Sequence, residues 1–159
     1  MAASAAVKQA LAMDDSEDTI DALADVIWRK VDTDWDDLSQ AESTVFGVWC
    51  LKVEVVNGGL AQFLFNSVGG ATPQIIEGLE RIGATRIASI VRAAIAVLGP
   101  EVPLSDWRLR QSRVSALQTS ELNRLKVLSD ELEDLLPDAM QRARSFASAH
   151  ADDFSDATI

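Results

Sequence analysis

Residues 39–59 read Ser-Gln-Ala-Glu-Ser-Thr-Val-Phe-Gly-Val-Trp-Cys-Leu-Lys-Val-Glu-Val-Val-Asn-Gly-Gly. Ser39 followed three residues later by Glu42 has the form of a capping box: the serine side chain accepts from the third helical amide and the glutamate returns to the amide of Ser39. A helix is expected to start there. Val45, Phe46, Trp49, Val53 and Val56 then recur at helical spacing, and Gly58-Gly59 supplies a break with access to positive φ. The helix is expected to end at Asn57 or just beyond, with Leu60 to Asn66 as a short buried helical turn.

The flanks repeat the pattern. Upstream, Ile20, Leu23, Ala24, Ile27 and Val31 mark one helical face, with Ser16 as the expected N-cap. Downstream, Thr72-Pro73 is expected as N-cap and N1 of a helix carrying Ile75, Ile76, Leu79 and Ile82, broken at Gly83. Thr85 to Leu98 reads as the central core helix, stopped by Gly99-Pro100. Ser105 is expected to cap a short basic helix holding Trp107, Arg108, Arg110 and Arg113. Leu122, Leu125, Leu128, Leu132 and Leu135 mark a longer one, and Pro137 is expected to separate it from a last helix over 138–149. No segment alternates as a strand does. The reading is an all-α single-domain bundle of about eight helices, with residues 1–15 as a flexible N-terminal segment, 16–154 as the domain and 155–159 as a tail.

Composition narrows the function. The chain has 159 residues and a net charge of −11, so a phosphate backbone is repelled and a basic protein surface is attracted. One cysteine, Cys50, and one histidine, His150, remove an internal disulfide and most zinc and triad chemistry. The sequence holds no paired nucleophile and base and no phosphate-cradling loop, so no enzyme activity, no cofactor and no metal are expected. An Ala-rich start without a signal-peptide core and the lack of a bilayer-length apolar run lead to the expectation of a cytoplasmic protein without membrane contact.

Between Asp14 and Glu42 eleven acids face only Arg29 and Lys30. On a helix Asp14, Asp18, Asp21 and Asp25 fall on one side and Ile20, Leu23, Ile27 and Val31 on the other. With Ser16 as N-cap, Asp14 sits at the edge of that helix or outside it. Such a row approximates part of a phosphate backbone, since neighbours on a helix face are ~5–6 Å apart. Asp32, Asp34, Asp36 and Asp37 extend the acidic surface, with Glu131, Glu133 and Asp134 as further support. The alternative is a solvated face with no partner. An EF-hand loop starting at Asp32 fails, because Asp37 and Ser43 stand where Gly and Glu are needed. Trp35 is expected as a lid on the core or an exposed anchor, Cys50 as a small core residue, and His150 as solvent-exposed.

Glu54, Asn57, Gly58, Gly59, Gln62, Phe63, Phe65, Asn66 and Gly69 form a Glu-x-x-Asn-Gly-Gly-x-x-Gln-Phe-x-Phe-Asn core, followed by Ile82-Gly83-Ala84. This pattern resembles a bacterial family best known through a DNA-mimic protein, over roughly residues 38–154. Val56 stands where many relatives have Asn, and the tyrosines usual near the end are absent. The resemblance implies an acidic, all-helical homodimer whose partner is a DNA-binding regulator. Read from their own chemistry, the motif residues are a scaffold: glycines for a sharp turn and amides to satisfy open backbone groups. Two functions follow. One is a non-enzymatic interaction protein that binds a basic protein, with toxin neutralisation as a variant. The other is a small-molecule-binding domain centred on Glu54, Asn57, Gln62 and Asn66, in which Glu54 pairs with an arginine or keeps its proton.

Overall fold

Ser39 opens the long central helix as a complete capping box: Glu42 N–H donates to Ser39 Oγ at 3.1 Å and Ser39 N–H donates to Glu42 Oε2 at 3.0 Å. The computed structural model describes residues 2–31 and 35–155. Among these are seven α-helices: α1 (Ala5–Leu11), α2 (Ser16–Trp28), α3 (Gln40–Phe65), α4 (Thr72–Arg81), α5 (Thr85–Leu98), α6 (Trp107–Ser115) and α7 (Thr119–Ala149). Short 3-10 turns at Trp35–Asp37, Ser67–Ala71 and Ala151–Asp153 join or end them. The fold is all-α.

The core lies between α3 and α7, which share the largest interface, and α2, α4 and α5 close around them. Val45, Leu51, Leu60 and Phe63 of α3 meet Leu125, Leu132, Ala139 and Ala143 of α7 in one buried cluster. α3 exceeds the apolar length expected from the sequence. Its 26 residues satisfy the length and composition of a membrane-crossing helix, and half of that apolar window is buried inside the protein, as a core helix requires. The first fifteen residues, expected to lie outside the domain, carry α1, whose Val7 and Ala10 are buried and which packs on α2.

Four boundaries differ from the sequence reading, each for a local reason. Asp15, not Ser16, caps α2, because its Oδ1 reaches both Glu17 N–H at 2.8 Å and Asp18 N–H at 3.0 Å. A carboxylate accepts two amides at a positive helix end better than a hydroxyl does. Asp106, not Ser105, caps α6 in the same way, accepting from Arg108 and Leu109. Thr72 is already helical, with Ala71 at the N-cap; the Thr72 hydroxyl donates instead to the Gly69 carbonyl. Pro137 does not divide the last helix, since α7 runs through it to Ala149. Its ring faces solvent, while Leu132, Leu136, Ala139 and Met140 around it are buried, so burial on the inner side offsets the one lost hydrogen bond.

Candidate interaction surface

The Asn57-Gly58-Gly59 turn is a break inside α3. Gly59 has φ 72° and ψ −174°, a conformation open essentially only to glycine. A Cβ there would stand 3.0 Å from Ser129 Oγ of α7. The helix restarts at Leu60, whose N–H donates to Ser129 Oγ at 2.8 Å, and the Ser129 hydroxyl donates on to the Leu125 carbonyl at 2.7 Å. Ser129 thus serves as an N-cap supplied from another helix.

Glu54 spans the break. Its Oε2 accepts from Gln62 Nε2 and from Asn66 Nδ2, both at 2.8 Å, so two side-chain amides stand where an arginine was one of the two expectations. The Gln62 side chain folds over Gly58, whose missing Cβ leaves the space it occupies. Asn66 is the C-cap of α3. Phe63 is buried and Phe65 is partly exposed. Asn57 and Gly58 are exposed and, with Gly59, line a shallow cleft of about 310 Å³ against α7.

The other end of this segment is held by Arg110 of α6, which is 1% exposed. Its Nε donates to the Leu64 carbonyl at 2.7 Å, one Nη to the Asn66 carbonyl at 3.0 Å and the other to Leu104. Burial pulls its pKa down and nearby Asp106 acts against that. Gly69 makes room for this guanidinium: a Cβ would lie 2.8 Å from Arg110 Nε. Gly83, the last glycine of the motif, ends the α4 turn at φ 76°.

The carboxylates of α2 do not form a uniform row. Asp14 precedes the helix, and its backbone carbonyl accepts from Arg144 of α7 at 2.5 Å. Asp21 turns toward α3, where it accepts from Trp49 Nε1 at 3.0 Å and from Lys52 at 3.1 Å. Lys52 also meets Glu17 at 2.6 Å. Burial lowers the Lys52 pKa, but the bonds to Glu17 and Asp21 more than offset it and the ammonium is stabilised. Asp18 and Asp25 remain exposed on α2, and Asp36 and Asp37 are exposed on the following 3-10 turn. Asp32 and Asp34 lie outside the described residues.

The fold brings Glu133, expected from the sequence as further support, to the start of α2. A cleft of about 440 Å³ beside the start of α2 is lined by Asp14, Asp15, Glu17 and Glu133 of α7, with Lys52 as the facing base. Four carboxylates against one ammonium make its field negative. Asp134 is exposed beside Glu133, whereas Glu131 pairs with Arg86. Trp35 packs as a lid, its ring 5.4 Å from Phe46 and its indole N–H donating to Ser43 Oγ at 2.7 Å. Cys50 is buried. His150 is exposed, its ring tilted against Phe146 at 4.3 Å between centroids.

A family model described as DMP19-like protein matches residues 36–150, a span that contains the whole Glu54–Gly69 motif. The chain belongs to the DMP19-like family. No curated protein and no solved structure matches it. The DMP19-like family is of DNA-mimic type and is not a known enzyme family. At that coarse level it implies protein partners of the DNA-binding class. Within this chain the DMP19-like region comprises α3 to α7, so the motif network and Glu133 fall inside it. The carboxylates of α2 precede it and meet it at the Asp21–Lys52 and Glu17–Lys52 contacts.

Proposed function

We propose that this protein is a non-enzymatic, cytoplasmic interaction protein that occupies the basic, DNA-binding face of a regulator by presenting carboxylates in place of phosphates. The observation that carries the reading is the path of exposed acids along α2. It starts at the four-carboxylate cleft beside Asp15 and passes Asp18 and Asp25, and Asp36 and Asp37 are also exposed on the 3-10 turn before α3. A 13-residue helix is about 20 Å long, on the order of six base-pair steps of duplex. DNA-mimic family membership supports the same reading. A homodimer that sets two such faces about a two-fold axis fits a regulator reading two half-sites.

The test uses a regulator captured from lysate at low salt. Capture is expected to fall steeply with ionic strength, to be displaced by duplex DNA, and to fail in the triple variant Asp18→Asn, Asp25→Asn, Asp37→Asn. These side chains are exposed, so the variant is expected to keep the wild-type melting temperature. Binding that resists salt and DNA, or that the triple variant retains, refutes the reading.

A further inference from the structure

Asp18, Asp21, Asp25 and Trp28 follow one another along α2 at spacings of three, four and three, which places all four within about 80° of one another around the helix. Trp28 is the last residue of α2 and is 62% exposed, so the carboxylate face ends on an indole. Lys52 and Trp49 take up Asp21, and on the outer side the exposed Asp18 and Asp25 outnumber the exposed Arg29.

The indole is fixed from below. Its ring lies 6.0 Å from Phe46 and 6.4 Å from Trp49 between centroids, and Phe46 meets Trp35 at 5.4 Å. Beside it opens a cleft of about 430 Å³ walled by Trp28, Val31, Trp35, Phe46, Val68 and Ala71. Two further groups on its lining do not select a polar occupant: the Gln74 oxygen is buried and Asp36 already has a partner. A charged head entering these walls gives up water without gaining a counter-charge, whereas an apolar side chain gains contact with aromatic and aliphatic carbon. Such a side chain arrives next to Asp18 and Asp25, and the surface that gains from both is one that sets the apolar group among bases.

We propose that Trp28 and its cleft receive a large apolar side chain of the basic protein partner, flanked by bases that meet the α2 carboxylates. The inference rests on the reading above for the partner's identity. Carboxylates alone attract any basic surface; the indole selects among such surfaces and adds a part of the affinity that salt does not screen.

The probes are two unlabelled peptides of equal charge, acetyl-Lys-Ala-Lys-Lys-Phe-Lys-Lys-Ala-Lys-amide and the same peptide with alanine in place of phenylalanine, titrated by calorimetry. The phenylalanine peptide is expected to bind at least about fivefold tighter. Both weaken as salt rises to about 0.15 M, and their ratio is expected to hold. Trp28→Ala is expected to bring the ratio to about one, and Trp107→Ala, which removes a comparably exposed indole of α6, to leave it unchanged. Equal binding of the two peptides to the wild-type protein overturns the inference without recourse to a variant, as does a ratio that survives Trp28→Ala. Self-association of the protein alone that Trp28→Ala abolishes in sedimentation makes the occupant a second copy and also overturns it. None of these outcomes touches salt-sensitive, DNA-displaceable capture. Conversely, capture that resists salt and DNA while the peptide ratio holds refutes the proposed function and leaves the cleft as an apolar site for a basic peptide.

Discussion

Lys30 and Glu42 form an ion pair inside the protein, with side chains 12% and 2% exposed. Glu42 is held at both oxygens: Oε2 by the Ser39 amide and Oε1 by the Ser155 amide at 3.0 Å. Lys30 donates in turn to Ser155 Oγ at 2.6 Å and to the Ser155 carbonyl at 3.0 Å. One pair of charges thus binds the end of α2, the start of α3 and the segment after α7. Removing the lysine leaves the carboxylate buried and short of its counter-charge, which costs about 3–5 kcal/mol in such sites. Lys30→Met is expected to destabilise by an amount of that order in urea unfolding, and Lys30→Met with Glu42→Gln is expected to recover part of the loss.

The break in α3 has a sharp energetic signature. Ser129→Ala removes the acceptor of the Leu60 amide and leaves a buried N–H unpaired, an expected loss of about 1–3 kcal/mol. Gly59→Ala is expected to cost at least as much, because it combines a positive φ with a Cβ pressed on Ser129. The double variant should fall short of the sum, since the methyl then has more room. Chemical denaturation of the four proteins measures this coupling.

Arg110 satisfies three carbonyls from the interior, and their geometry suits a planar fork. Arg110→Lys cannot reach all three and is expected to lose about 2 kcal/mol, with Arg110→Met losing more. Hydrogen exchange should show the loss concentrated at residues 60–72 rather than in α5.

Cys50 is expected to be chemically silent. Burial, aided by the nearby Glu54 charge, pushes its thiol from 9.0 up to about 12, so a thiol reagent at pH 8 should react only after unfolding. In the unfolded chain the thiol ionises first. Its contribution to stability is therefore whole below about pH 9 and is lost as pH rises toward about 12, at roughly 1.4 kcal/mol per unit within that window. Cys50→Ala is expected to flatten this part of the stability–pH profile.

Lys52 restrains the charge of the α2 face. Lys52→Met frees Glu17 and Asp21 from their ammonium. The expected result is a lower melting temperature together with tighter, more salt-dependent capture of a basic partner. Tighter capture without added salt dependence contradicts the electrostatic account.

The parts of this fold legible in the sequence were those where a local rule acts without competition. The capping box at Ser39, the Gly58-Gly59 break and the stop at Gly99 each depend on chemistry within four residues. Ser16 and Ser105 misled because an aspartate stood one residue away and could accept two amides. Pro137 misled because its cost is local, whereas what outweighs it, the burial of Leu136 and Met140 against distant helices, is tertiary. The site was less legible for the same reason. Asp21 belongs to the exposed row by periodicity, but Lys52 and Trp49, about thirty residues away, draw it inward. Arg110 read as one base in a basic helix, and nothing nearby marks it for the interior. Glu133 joins the acids of α2 only because α7 passes alongside them.

The amide of Ala3 donates to Asp152 Oδ1 at 3.0 Å, and this contact has a topological consequence. Because the segment before α1 meets the turn after α7, the two ends of the described residues lie near one another, and a short linker is enough to join them. New ends opened in the exposed connection between α5 and α6, at Pro100 or Glu101, leave every helix intact and the carboxylate cleft whole. The order in which the helices leave the ribosome is therefore separable from the surface they form, and a circular permutant is expected to present the same α2 face as the natural chain.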